Sequence, residues 1–214
     1  MENVEDDSGA QQEFPTQIHL LYAMSRALRK GDAVTGRKSL PIELIIEIFR
    51  LAEFVRPSLL KHSNQSFSIS DGGREILHID ANTLFPRRMR LYLQLETTSH
   101  DQGWCSDPNS GNWTWFQINI LQPDPNNPGT YIDKPDPNDT RTHLHWFSHH
   151  NDLAEHEFKH NSGPVFGLDH PLWTHLGPED RISVRAEARF PGWCNYVRDA
   201  TLVVRELFDP ARLG

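Results

Sequence analysis

The residues from Ser99 to Phe116, SHDQGWCSDPNSGNWTWF, place three tryptophans, a cysteine, a histidine and two aspartates around one turn. Further on, PGWCNYV (Pro191 to Val197) repeats the Gly-Trp-Cys triplet. Sugar sites combine flat aromatic faces, which stack on the CH side of a ring, with planar polar groups that bond pairs of hydroxyls. Trp104, Trp113, Trp115, Trp193 and Tyr196 could supply the faces. Asp101, Gln102, Asn112 and Asn195 could supply the bonds. The same residues also suit the edge of a β core, where large aromatics are buried and their polar tips find partners. Gly103, Gly111 and Gly192 mark tight turns in which Asp101 or Asn195 bonds to nearby backbone instead. Both readings stand at this point.

Histidine is the second source of chemistry. The chain carries 12, eight of them between His143 and His175. His145 and His149, and His156 and His160, have the i, i+4 spacing of a zinc site on one helix face. The string HEFKH (His156, Glu157, His160) fits the H-E-x-x-H pattern of zinc hydrolases, which needs a long helix and a third ligand such as His170 or Glu179. Asn161-Ser-Gly-Pro ends any helix at once, so no metal centre is expected. No G-x-S-x-G, P-loop or G-x-G-x-x-G occurs, which removes common nucleophile and nucleotide sites. Cys105 and Cys194 form no C-x-x-C pair and read as free thiols. The chain is read as a non-enzyme without cofactor.

The formal net charge of −8 argues against sequence-independent binding of nucleic acid or an anionic membrane surface. No apolar run approaches the roughly 18 residues a spanning helix needs. MENVEDDSGAQQEF is acidic and lacks a signal-peptide pattern, which predicts an intracellular protein, cytoplasmic or nuclear.

These groups must be positioned by the surrounding elements. Ile18, Leu21, Met24, Ala27 and Leu28 recur at helical spacing and predict a helix ending at Gly31. In SLPIELIIEIFRLAEF, Ser39 is positioned to cap, Pro41 suits a first turn, and Leu44, Ile45, Ile48, Phe49 and Leu51 form a broad apolar face. After residue 64 the period changes to two. SFSIS, EILHID, MRLYLQLETT, NWTWFQINIL, THLHWFS, RISVRAEARF and ATLVVRELF read as strands. In NWTWFQINIL the pattern reads as slipping at Phe116, consistent with a bulge. Residues 122 to 141 read as one long Pro/Asn/Asp-rich loop, and NDLAEHEFKH as a helical turn or polar loop. Many short strands without alternating helices predict an antiparallel β-sandwich, jelly-roll or galactose-binding-like, with N-terminal α-helices. The expected division is an acidic disordered tail at 1–14, a helical segment at 15–63, a β-sandwich at 64–208 and a tail at 209–214.

Two resemblances add to this. LPIELIIEIF (Leu40 to Phe49) resembles the opening helix of an F-box, giving an F-box-like segment at 39–56. DQGW (Asp101 to Trp104), NWTWF (Asn112 to Phe116) and LGPEDRISVRAEARFPGWCNYV (Leu176 to Val197), together with that helix, resemble a group of uncharacterised fungal proteins that join an F-box-like helix to a β domain. The likeness spans roughly residues 38 to 208; Cys105 and Cys194 depart from the group's pattern. The group brings no activity with it; the F-box likeness of LPIELIIEIF, taken with the tryptophan-rich turns, implies an adaptor whose Leu40, Pro41, Leu44, Ile45, Ile48 and Phe49 contact a Skp1-type partner. The β domain would hold a glycan or protein ligand at its tryptophan-rich end, through Asp101, Gln102, Trp104, Trp113, Trp115, Trp193, Asn195 and Tyr196. The alternatives are a lectin-like carbohydrate-binding module and, less well supported, a zinc hydrolase using HEFKH.

Overall fold

A computed structural model describes residues 9–109, 111–139 and 141–212. Strand is the main regular structure, 42 % of the chain against 20 % helix, arranged as two antiparallel sheets packed face to face, so the expected β-sandwich is the fold. One sheet has the order β1 (Val55–Ser63), β10 (Asn195–Leu207), β4 (Leu91–His100), β8 (Lys159–Ser162), with β2 (Phe67–Ile69) also paired to β10. The other runs β3 (Gly72–Asp80), β9 (Arg181–Ala188), β5 (Thr114–Pro123), β6 (Tyr131–Asp133), with β7 (His145–His150) also paired to β5. The first and last strands are neighbours. Residues 55–63, expected within the helical segment, are therefore strand, because their backbone groups pair with β10.

Alternation explains the core between the sheets. Leu91, Leu93 and Leu95 of β4 and Ile182, Val184, Ala186 and Ala188 of β9 are buried, each larger aliphatic side chain contributing about 1.5–3 kcal/mol. In β5, Thr114, Phe116, Ile118 and Ile120 are all buried in a single unbroken alternation, and the register against β9 runs without a shift. The expected slip lies in the partner: Phe116 faces His149 and Gln117 faces Phe147, so the extra residue is Ser148 of β7. Phe190 does not continue β9; it has φ 73° in the turn that follows and is exposed.

Residues 122–141 form two short hairpin loops rather than one long loop. In the first, Asn126 N–H donates to Asp124 Oδ1 and Thr130 N–H to the Asn127 carbonyl. Twelve residues on, Asn138 N–H donates to Asp136 Oδ1 and Thr142 N–H to the Asp139 carbonyl. The Asp-Pro-Asn string thus makes the same side-chain-to-backbone turn twice, and β6 lies between the copies. Lys134 Nζ ties this hairpin down through Asp180 Oδ2 at 2.6 Å and the His175 carbonyl at 2.9 Å. His175 ends α3 (Pro171–His175), whose Trp173 is fully buried with its Nε1–H on the Gly167 carbonyl.

The chain divides into two compact units, one of residues up to 58 with those from 205 onward, the other of residues 59–204. The first holds α1 (Gly9–Lys30) and α2 (Ile42–Leu51). Leu21, Ile45, Phe49 and Phe208 form its small core, with Phe49 stacked on Phe208 at 5.3 Å and edge-on to Phe54 at 5.1 Å. α1 starts at Gly9, inside the segment expected to be tail, because Ala10 to Glu13 are good helix formers; residues 1–8 lie outside the described residues. GDAVTGRK, between the helices, closes on itself as a turn: Asp32 accepts from Val34 N–H and the Thr35 hydroxyl, and its own N–H bonds the Arg37 carbonyl. α2 begins with Pro41 as its cap and no side-chain capping bond, so Ser39 does not cap it. It ends where Glu53 takes φ 49° and Phe54 N–H bonds the Phe49 carbonyl, ahead of Pro57. Residues 210–212 form a short 3-10 turn within the segment expected as a tail. Among the described residues no helix is long and apolar enough to cross a membrane.

Candidate functional site

The two Gly-Trp-Cys turns meet at one end of the sandwich. Gln102 Oε1 accepts the Cys194 backbone N–H at 3.3 Å, and Gln102 Nε2 donates to the Trp104 carbonyl at 2.6 Å. The Trp104 ring lies over Gly192, 3.7 Å from where a Cβ would sit. Both cysteines are free thiols. Gly103 is required at its place: φ is 82°, and a Cβ would come within 2.8 Å of His156 Cβ.

The polar residues expected to face a ligand here mostly hold the turns together. Asp101 is fully buried, and its two carboxylate oxygens accept Gly103 N–H at 2.8 Å and Ala154 N–H at 2.7 Å. Asn195 is likewise buried. Its Nδ2 donates to the Trp115 and Glu187 carbonyls, and its Oδ1 accepts from Asn151. Asn112 bonds Thr114 and the Asn151 carbonyl. Trp193 and Trp113 are half-buried, and the Trp113 ring packs edge-on against Phe190 at 4.7 Å. That leaves Trp104, 58 % exposed, and Tyr196 as the outward members. Tyr196 stacks on His100 at 4.6 Å, and the neighbouring Cys194 thiol pushes its phenol above the usual range.

HEFKH lies on no helix. His156 and Glu157 sit in an exposed turn and His160 in β8, so the two histidines share no helix face. Among the described residues no group of three His, Cys, Asp or Glu converges as a metal site. His149, the partner of His145 by spacing, is turned into the core.

Trp115 belongs to a different surface. Its neighbours on the outer face of β5 are Gln117 and Asn119, and the opposing positions on β9 are Glu187, Arg185 and Ser183. β6 pairs with the end of β5 and sets Asp133 beside Leu121, His143 follows from the second hairpin loop, and β7 adds His145 and Phe147. The result is a cleft of about 490 Å³, continuous through Asp133, His143 and Arg185 with a second of about 460 Å³ that extends toward Glu75 and Tyr131. Arg185 spans Asp133 at 3.2 Å and Glu187 at 3.5 Å. Burial holds the Glu187 carboxyl above the ordinary range. Glu75 accepts the Ser183 hydroxyl at 2.6 Å. Of this cleft only Trp115 is among the site residues expected from sequence. The others are the polar half of strands whose apolar half identifies them, and polar alternation reads alike whether water or a ligand covers it.

In the helical unit, the six residues expected to meet a partner separate into two sets. Ile45 and Phe49 are fully buried, and Leu40 packs against the same core. Pro41, Leu44 and Ile48 are exposed, and Leu51 joins them at 69 % exposure.

No protein-family model matches this chain, and no curated protein matches it in sequence.

Proposed function

We propose that the protein is a non-enzymatic adaptor: the helical unit docks a Skp1-type partner, and the sandwich is the domain that holds a ligand. The observation that carries this reading is the surface of α2. A ten-residue helix leaves Leu44 (53 % exposed), Ile46, Ile48 and Leu51 open to water while Ile45 and Phe49 anchor it from the other side. Leu44, Ile48 and Leu51 follow the i, i+4, i+7 pattern by which a helix lies against an apolar groove. Neighbouring apolar side chains left open to water on one helix face support a docking role for it. The likeness of LPIELIIEIF to the F-box opening selects the partner class. Of the six residues, Pro41, Leu44 and Ile48 make the contact in this reading, and Ile45 and Phe49 fix the helix beneath it.

The test is capture of purified Skp1 by the full chain, compared with a Leu44→Asp, Ile48→Asp variant. The wild type is expected to bind and to protect residues 41–55 from hydrogen exchange. The variant is expected to lose binding by tenfold or more while remaining folded at the assay temperature, which its melting curve verifies, since Leu44 and Ile48 are 53 % and 40 % exposed. Protection of 41–55 without Skp1, unchanged on its addition, sinks the adaptor reading.

The lectin-like alternative gains support from the cleft beside Trp115. The hydrolase alternative gains none from HEFKH, whose residues lie in a turn and a strand.

A further inference from the structure

The cleft on the outer face of β9 and β5 contains one group that the fold leaves unfinished. Asn119 is only 3 % exposed, yet its Oδ1 has no hydrogen-bond partner. Its orientation is fixed. Nδ2 donates to Asp133 Oδ1 at 3.3 Å, and a carboxylate can only accept, so the amide cannot be turned over to satisfy the oxygen. A buried acceptor without a donor is unfavourable, and native proteins rarely leave one unmet. Asn119 lines the cleft, and its Oδ1 is shielded from water beneath the neighbouring side chains, so a donor from outside completes it only where those side chains give way.

The surrounding groups define what that donor belongs to. Gln117 Oε1 accepts the Trp115 Nε1–H at 3.1 Å, which leaves the Gln117 amide nitrogen to donate into the cleft. The ring nitrogen Nδ1 of His145 contacts the His143 carbonyl at 2.9 Å and must donate to it, which leaves Nε2 as the ring nitrogen available to the cleft. Charge is balanced: the cationic Arg185 and Arg189 are matched by Asp133 and Glu187, and Arg185 is already engaged with both carboxylates. A site with balanced charge offers little to a phosphate, an acidic peptide or a cation. It offers alternating planar donors and acceptors beside the aromatic rings of Trp115 and Phe147, which is the chemistry that recognises hydroxyl pairs on a sugar ring. The outward side chains of β9 from Ser183 to Glu187 extend this surface over about 13 Å at about 3.3 Å per residue, longer than one ring requires.

We infer that the outer face of the β9–β5 sheet binds a neutral oligosaccharide, with Gln117 Nε2 and His145 Nε2 as its hydrogen-bonding groups, Trp115 as its stacking face and the shielded Asn119 Oδ1 as an acceptor that the ligand uncovers. This rests on the sandwich being the ligand-holding domain. It moves the ligand from the tryptophan-rich turns to the sheet, and it stands or falls separately from the Skp1 contact of α2.

The test uses the full chain and six trisaccharide probes: cellotriose, chitotriose, mannotriose and maltotriose as neutral probes, and one sialylated and one sulfated trisaccharide as charged ones. Saturation-transfer NMR detects binding, and titration calorimetry measures it. At least one neutral probe is expected to bind, more tightly than either charged probe. Gln117→Ala and Trp115→Ala are each expected to weaken it about tenfold, the loss of one hydrogen bond to a ligand or one stacking face. Gln117 is partly exposed, so its variant keeps the fold; an unchanged melting temperature verifies this. Silence from all neutral probes overturns the inference while leaving capture by Skp1 to decide the adaptor reading. So does tighter binding of a charged probe, or binding that survives Gln117→Ala and Trp115→Ala but is lost in Trp104→Ala, which would return the site to the turns.

Discussion

His149 carries the clearest consequence of a single residue's environment. Its ring stacks on Phe116 at 4.8 Å, its Nε2 meets Thr97 Oγ1 and its Nδ1 meets Ser148 Oγ, both at 2.9 Å. Thr97 belongs to one sheet and Phe116 to the other, so the imidazole is a polar tie across the core. Burial, reinforced by the charges of His150 and His160, pushes its pKa down to about 4 from an ordinary 6.5. In that window the unfolded chain binds a proton that the folded chain refuses, so stability rises with pH. The contribution of His149 is therefore steady above pH 6.5 and is lost progressively as pH falls toward 4, by about 3 kcal/mol in all. Urea unfolding at about pH 7, 6, 5 and 4.5 is expected to show this decline, and His149→Gln is expected to remove most of the slope. Parallel declines in the two proteins would show that other groups carry it. The histidine run is plain in the sequence, but its sorting is not: His145 at the cleft, His149 in the core and His156 in a turn differ by where a bulge and a hairpin place them. Asp101 is more legible, because an aspartate two residues before a glycine is itself the pattern of a side-chain-closed turn.

At the scale of elements, α2 makes two demands on one sequence. LPIELIIEIF is apolar nearly all round, which implies work for both sides of the helix, and the structure separates them by residue. Ile45→Ala and Phe49→Ala empty a small core built with Phe54 and Phe208, and are expected to lower the unfolding free energy by about 2–5 and 3–5 kcal/mol respectively. Chemical denaturation is the measurement. A loss below about 1 kcal/mol at both positions would mean that this core does not hold the helix. Strands β5 and β9 are readable because a period of two with Ile, Val and Phe on one side fits a half-buried strand and no helix. β8 and α3 are not: KHNS carries no alternation, and PLWTH is too short for a helical period. The two Asp-Pro-Asn turns stand in plain view, twelve residues apart, yet composition alone makes the whole stretch a loop; only the repetition of the string marks two turns with a strand between them.

For the whole molecule, an adaptor needs two surfaces that work at the same time, and this chain places its candidates in different compact units. α2 belongs to the unit of residues up to 58 with those from 205 onward, and the cleft to residues 59–204. The fold class follows from counting strands; the cleft does not, because it depends on which side chains of β6 and β7 are set beside those of β5 and β9, which alternation cannot report. Each unit has its own buried core, so a substitution on the surface of one leaves the packing of the other intact. The expected outcome is a double separation. Leu44→Asp with Ile48→Asp loses Skp1 and binds the neutral trisaccharide as the wild type does. Gln117→Ala with Trp115→Ala loses the trisaccharide and captures Skp1 as before. Calorimetric titration of Skp1 with and without saturating trisaccharide measures the same independence directly: coupling is reciprocal, so one titration serves for both directions. An affinity unchanged within about twofold fits a receptor that holds its cargo while docked. A change of about fivefold or more, equivalent to about 1 kcal/mol, would instead make the two units a switch in which cargo decides whether the partner is recruited.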